Sequence, residues 1–378
     1  MGHEIAQVAL MGGFDEVILN DLTEEHIDKA TIKIKDGLDR LESKGKLNLG
    51  DTASSLIGKL VKEVSLEKAV ANTDFIIEAI PEIMKIKKEL FHKLGKYASE
   101  HAILATNTST MSISEIASTS GRSDKVVGCH FFTPIVVLRL IEIIKGKKTS
   151  EETVEIAKGV CQRLPALQGK RFLPILKKES PGFIVNRLTG ATSLYLNWLL
   201  EYSRKKGIPL ESLDADTESL AEIGPFLKLD YLGLDTVCNA LNYFAEELSP
   251  EFAPGKTLKD LVSNGHLGKK TGKGLFDWKN GKPSILKTGK SGLLNIELLM
   301  AIQLNEGCRL LEDEVVSGYK LIDDAMMAGM NLPGPFGPGK INYMKWAHLL
   351  EEFVNTSGII YLKPCNLMKS GDFINMRK

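Results

Sequence analysis

Charge of either sign is not in excess in this chain: 48 Lys and Arg stand against 48 Asp and Glu among 378 residues. No overall field therefore favours nucleic acid or an anionic membrane as a partner, although a local basic patch for a phosphorylated ligand is compatible with the balance. Cysteine is scarce. The five residues (Cys129, Cys161, Cys238, Cys308 and Cys365) are scattered without a C-x-x-C spacing, which argues against a disulfide framework or a zinc site and for a reducing compartment. Apolar runs of membrane-spanning length are missing, as are the basic and apolar regions of a secretory signal. The expectation is a soluble cytoplasmic protein, long enough for two or three domains.

What is present is a change of character along the chain. Up to about residue 178, short β-branched runs alternate with charged helical stretches. The runs EVILND (16–21), DFIIEAI (74–80), AILATN (102–107), VVGCHFF (126–132) and LIEIIKG (140–146) are strand candidates. Strands alternating with helices indicate a parallel sheet. The Lys-rich stretch 24–64 is too long for one crossover and is expected to form a projecting helical hairpin. Beyond KKESPGFIVNRL (177–188) long helical patterns follow and strand signals fade. This half repeats itself: LLE (199–201), LD (213–214) and GPF (224–226) recur as LLE (310–312), ID (322–323) and GPF (334–336), and each unit closes on a similar tail, KTGKGLF (270–276) and KSGDF (369–373). Four landmarks in one order indicate a duplication. The expected plan is a Rossmann-like α/β domain over 1–178, then two related helical domains over 179–285 and 286–378.

The chain opens MGHEIAQVALMGGFDEVILND, the back half of a nucleotide-binding turn. A G-x-G-x-x-G turn lets backbone approach a pyrophosphate at a helix N-terminus, and an acidic residue about twenty positions on takes the ribose hydroxyls. Only the last glycine, Gly2, is here, with Asp21 at the right distance. Taken alone, Gly2 could be an ordinary residue and Asp21 a cap for the helix beginning at Thr23. An aspartate at that place favours NAD over NADP, because it repels a 2′-phosphate.

Candidate chemistry lies further on, in ATNTSTMSI (105–113), GCHFFTP (128–134), LIEII (140–144) and SPGFIVNRL (180–188). His130 follows a strand and precedes a turn, where a general base could face a cleft. Glu142, in the next strand, could fix its tautomer and strengthen it as a base. Ser109 and Asn186 can donate hydrogen bonds to a substrate oxygen. Each alone has a bland structural explanation; their joint occurrence is harder to explain away.

In these segments, and over essentially its whole length, the sequence resembles the L-3-hydroxyacyl-CoA dehydrogenase family, in which a G-x-G-x-M-G start, a TNTSS-like turn, HFFNP and PGFIVNR occur in this order. The resemblance implies NAD-dependent oxidation of (S)-3-hydroxyacyl-CoA, with His130 as base, Glu142 as its partner, and Ser109 and Asn186 around the reacting group. It places Asp21 on the adenosine ribose and Gly2, Glu82, Lys87, Asn107 and Ser109 near the coenzyme, with Lys270 approaching from the helical half. It puts Lys44 near the CoA phosphates, where solvated helix surface is a competing explanation. Thr133 stands where Asn is usual and Ile83 where Asn is common, the link 165–182 is longer than usual, and 216–226 departs from the family's G-x-P-M-G-P-F spelling, which 329–336 approaches.

The family's first strand and first two glycines precede a methionine and glycine that Met1-Gly2 match. A start downstream of the true one, or a genuine truncation, is therefore expected, with 16–21 and 102–107 flanking the position of a further strand. Two rivals stand beside the main expectation: a CoA-independent 3-hydroxy-acid dehydrogenase on the same scaffold, and a coenzyme-deficient remnant that binds CoA esters. The helical duplication suggests an intramolecular pseudo-dimer, and hence a monomer or weak oligomer.

Overall fold

The computed structural model describes residues 1–219 and 223–378. The departure noted over 216–226 thus lies partly outside the described residues. The chain forms two units: Met1–Phe183 together with Glu314–Gly334, and Ile184–Asp313 together with Pro335–Lys378. The two helical copies expected over 179–285 and 286–378 thus both contribute to the second unit, while 314–334 belongs with the first.

In the first unit the five strand candidates form β1 (Val17–Asn20), β3 (Phe75–Glu78), β4 (Ile103–Thr106), β5 (Val126–Phe131) and β6 (Ile141–Ile144). Two further strands, β2 (Leu60–Glu63) and β7 (Ile175–Leu176), lie where none was expected. The helices that matter here are α1 (Gly2–Met11), α2 (Glu24–Ser43), α3 (Met84–Tyr97) and α4 (Glu151–Arg163). The stretch 24–64 is therefore not a simple helical hairpin. It holds α2 and a short helix, Ala53–Ile57, and ends in β2, which pairs in parallel with β1. The strand signal in LVKE is weak because its two middle residues are exposed.

The strands divide into a β1–β2 pair and a five-stranded sheet ordered β3–β4–β5–β6–β7. This corrects the expectation that 102–107 flanks the position of a further strand: β4 (103–106) is paired on both sides, by β3 and β5, whereas β1 and β3 each have a partner on one side only, as do β2 and β7. Helix α1 packs against both groups. Ile5 and Val8 join the core of β4, β5, β6 and α4, while Ala6, Leu10 and Met11 join Val17, Leu19, Leu60 and the apolar face of α2.

The sheet is also not wholly parallel, because β5 and β6 run antiparallel. The segment 132–140 joining them is too short for the helical crossover a parallel pair requires. Side chains alternate across a strand, so Val127, Cys129 and Phe131 face the core together with Ile141 and Ile143. His130 and Glu142 point to the other face, directly opposite each other in the register. The long link after α4 is held by Arg171, whose guanidinium donates to the carbonyls of Leu138 (2.6 Å), Pro165 (2.7 Å), Leu164 (2.9 Å) and Ile135 (3.0 Å). Burial lowers its pKa to about 10.

In the second unit, α5 (Val185–Lys206) packs against α6 (Ile296–Glu312). Arg187 from α5 is paired there with the buried Glu306, which also accepts from Tyr361 Oη at 2.7 Å.

The two GPF turns share one geometry. Asp214 caps the first GPF turn, accepting from Phe226 N at 2.8 Å and Leu227 N at 2.9 Å, and a Cβ on Gly224 would meet its Cγ at 2.2 Å. In the first unit, a Cβ on Gly334 would likewise meet Asp323 Oδ1 at 2.1 Å. Both turns need glycine for the same close approach. Burial pushes the Asp214 carboxyl up to about 6 against the opposing pull of its two amide donors. A carboxyl raised in the folded state contributes stability that is present below about pH 4 and lost as pH rises through about 6. The urea midpoint of Asp214→Asn should lack that component, so its difference from the parent should change by an amount equivalent to about 1–3 kcal/mol between pH 4 and pH 7. Parallel midpoint-against-pH curves for the two proteins would show that Asp214 does not titrate in this way.

Candidate active site

His130 is 4% exposed, and its Nδ1 lies 2.7 Å from Glu142 Oε2, a carboxylate with no exposure. Two phenylalanine rings lie against the imidazole, Phe132 at 4.5 Å and Phe183 at 5.5 Å between centroids, both tilted by 58°. Sequence reasoning missed both rings. Phe132 lay in view inside HFF, but nothing in the pattern said that it folds back on the histidine. Phe183 takes a left-handed backbone conformation (φ 56°), which turns the chain after Pro181-Gly182.

Asn107 follows β4, and its Oδ1 accepts Phe131 N at 2.9 Å. The loop carrying Ser109 is thereby tied to the strand carrying His130. The loop is also gripped by Glu82, whose Oε1 accepts from Thr108 Oγ1 (2.6 Å), Ser109 N (2.7 Å) and Thr110 N (3.3 Å). Behind Glu82 stands Lys87, 1% exposed, with Nζ 3.2 Å from Glu82 and 2.7 Å from Glu78. Glu78 also accepts from Thr106 Oγ1 at 2.6 Å and from Ile80 N at 2.7 Å. Lys87 is therefore not solvated helix surface; it is an ammonium buried between two carboxylates. Glu78 is a further residue that sequence reasoning missed. An acid ending the apolar strand FIIE was the available signal.

The helix N-terminus at Gly2 receives no side-chain cap from Met1, and a Cβ on Gly2 would meet only Ala79, at an ordinary 3.8 Å. Asp21 follows β1 and is half exposed, with Oδ1 accepting Leu22 N at 2.7 Å and 3.3 Å from His26 Nδ1. It does not cap α2; Thr23 does, accepting from His26 N. A helix N-terminus without a side-chain cap at α1 and a carboxylate at the end of β1 fit the pyrophosphate and ribose of an adenine dinucleotide.

The structure thus brings His130, Glu142, Asn107 and the Ser109 loop into one connected network with Glu82 and Lys87. Lys44 caps the C-terminus of α2 and is exposed, apart from that network. Asn186 and Lys270 belong to the second unit, Asn186 in the first turn of α5 and Lys270 donating to Asp235 (2.8 and 3.1 Å) and Thr236 (3.0 Å).

Residues 1–170 match the family described as 3-hydroxyacyl-CoA dehydrogenase, NAD binding domain, and residues 182–278 match its C-terminal domain. The mitochondrial hydroxyacyl-coenzyme A dehydrogenase of Rattus norvegicus is 37% identical over 288 residues, 74% of this chain and 88% of the relative. The chain belongs to the 3-hydroxyacyl-CoA dehydrogenase family. Its coenzyme is NAD and its reaction class is oxidoreduction. A solved structure from this family, an (S)-3-hydroxybutyryl-CoA dehydrogenase from Ralstonia eutropha, superposes with a TM-score of 0.65 at 29% identity, covering 74% of this chain and 96% of that one. A second, a 3-hydroxybutyryl-CoA dehydrogenase from Escherichia coli K12, shares the fold over 99% of this chain and 96% of its own, with a TM-score of 0.83 at 24% identity. The Rossmann-like domain and the helical remainder are therefore a known combination in the 3-hydroxyacyl-CoA dehydrogenase fold. Among the described residues no helix is long and apolar enough to cross a membrane.

Proposed function

We propose that this chain oxidises (S)-3-hydroxyacyl-CoA esters to 3-oxoacyl-CoA esters, with His130 as general base and Glu142 as its partner. The observation that carries the reading is the buried 2.7 Å contact between His130 Nδ1 and Glu142 Oε2. With Nδ1 engaged by the carboxylate, Nε2 is the nitrogen that takes the hydroxyl proton. The imidazolium formed there keeps Glu142 as counter-charge, and Phe132 and Phe183 exclude water from the ring. In the reverse direction the imidazolium returns its proton to the keto oxygen while Ser109 and Asn186 hold that oxygen. NAD, when bound, would supply the acceptor for the hydride from C3. Gly2, Asp21, Glu82, Lys87, Asn107 and Lys270 serve the coenzyme, and Lys44 serves the CoA phosphates.

The test is a rate comparison. NADH-dependent reduction of acetoacetyl-CoA should be readily measured and that of free acetoacetate absent; equal rates with the two would favour a CoA-independent enzyme. Glu142→Gln should lower turnover on the order of a hundred-fold, because the imidazolium loses its counter-charge, with NADH affinity unchanged. A loss smaller than twofold would separate Glu142 from the chemistry.

Domains over 1–178, 179–285 and 286–378, with α5 and α6 pairing the two helical copies, make the helical half a pseudo-dimer and the chain a monomer or weak oligomer. A cytoplasmic location fits five free thiols.

A further inference from the structure

The segment Glu314–Gly334 lies within the second helical copy by sequence, yet it folds with the first unit. It is attached at two places. Lys177 N donates to Val315 O at 2.9 Å, and Ala328 O accepts from both Arg139 N (3.2 Å) and Leu140 N (3.3 Å). Between these anchors runs α7 (Tyr319–Met330). Its penultimate residue, Gly329, is buried and does not have a positive φ, so no turn requires glycine there. Close approach does. A Cβ on Gly329 would meet Leu140 Cδ2 at 2.6 Å and Phe132 Cδ1 at 3.5 Å. Phe132 is the ring 4.5 Å from the imidazole of His130, and Leu140 is two residues from Glu142.

We propose that Gly329 is a positioning residue for the reaction: the end of α7 is the back wall that sets how closely Phe132 approaches His130. The second helical copy then serves the catalytic base through Phe132, besides packing against the first copy. This rests on the assignment of His130 as the base, and it goes beyond that assignment by giving the duplicated segment a part in holding it. The physical basis is that close-packed interiors transmit a displacement of one methyl group. A Cβ at 329 must displace the Leu140 side chain and would itself sit in van der Waals contact with Phe132, whose ring is 4.5 Å from the imidazole of His130.

Gly329→Ala is the test, since alanine also favours the helix and offsets part of the overpacking. Two readouts are taken on the full chain: steady-state reduction of acetoacetyl-CoA by NADH, and the ring signals of His130 in protein labelled with ¹⁵N-histidine. The expected result is a turnover about tenfold lower, NADH affinity within twofold, and shifted His130 ring signals. Leu140→Val in the same chain, which removes a methylene from the crowded contact, should restore both. Unchanged His130 signals and unchanged turnover, with only the thermal midpoint altered, would overturn the inference. So would a turnover loss that Leu140→Val fails to recover. If the parent chain shows no turnover but the His130 signals still shift in Gly329→Ala and return in the double variant, the proposed activity fails, while the part of the inference that Gly329 sets the packing of Phe132 on His130 stands.

Discussion

Replacing His130 by glutamine should slow NADH-dependent reduction of acetoacetyl-CoA by at least about a hundred-fold, because general acid–base catalysis is worth that much or more. Glutamine retains a polar group of similar reach that can hydrogen-bond to Glu142, and it fits against Phe132 and Phe183 without a large change in volume. What it cannot do is carry the proton. The imidazole is 4% exposed, so bulk water has little access to replace it. NADH binding, followed by the coenzyme's fluorescence, should stay within about twofold, since the residues assigned to the coenzyme lie on other elements. Single-turnover rates within tenfold of the parent would remove His130 from the mechanism.

Lys87→Met should lower the stability of the first unit by about 3–5 kcal/mol, the range for removing one partner of a buried ion pair. Lys87 is 1% exposed, and its Nζ is 2.7 Å from a carboxylate of Glu78 that has no exposure. Without the ammonium, that carboxylate keeps Thr106 and the Ile80 amide as donors but loses its counter-charge. Adding Glu78→Gln to Lys87→Met should recover most of the loss, because removing both charges of a buried pair is often nearly neutral. Urea unfolding of the parent, both single variants and the double variant measures this cycle. A single variant as stable as the parent, or a double variant no better than Lys87→Met, would contradict the pairing.

Much of the site is legible in the sequence because its parts are local. The dozen positions from His130 to Glu142 span two strand candidates and a connection too short for a helix. That short connection requires an antiparallel pair, which the expectation of a parallel sheet overlooked, and the register found in the fold sets the two side chains opposite each other on one face. The alternation of apolar strands and charged helices likewise carries the α/β character of the first unit. What escapes local reading is what depends on distant partners. β2 is a short, half-charged strand defined by β1 rather than by its own pattern. Strand order cannot be read from strand existence: 102–107 has partners on both sides, and β3 is the edge strand beside it. Lys87 resembles any surface lysine in MKIKKEL until the fold closes Glu78 and Glu82 around it. The placement of 314–334 with the first unit has no sequence signature, because it depends on contacts with residues far away in the chain.

The most direct test of the central claim follows the transferred atom. The chain is given acetoacetyl-CoA and NADH deuterated at both C4 positions of the nicotinamide, and the product is analysed by mass spectrometry. The account predicts 3-hydroxybutyryl-CoA carrying one deuterium, located at C3, in the S configuration, with formation lost in His130→Gln. Product without deuterium at C3, or the same deuterium transfer rate in His130→Gln as in the parent, would contradict it.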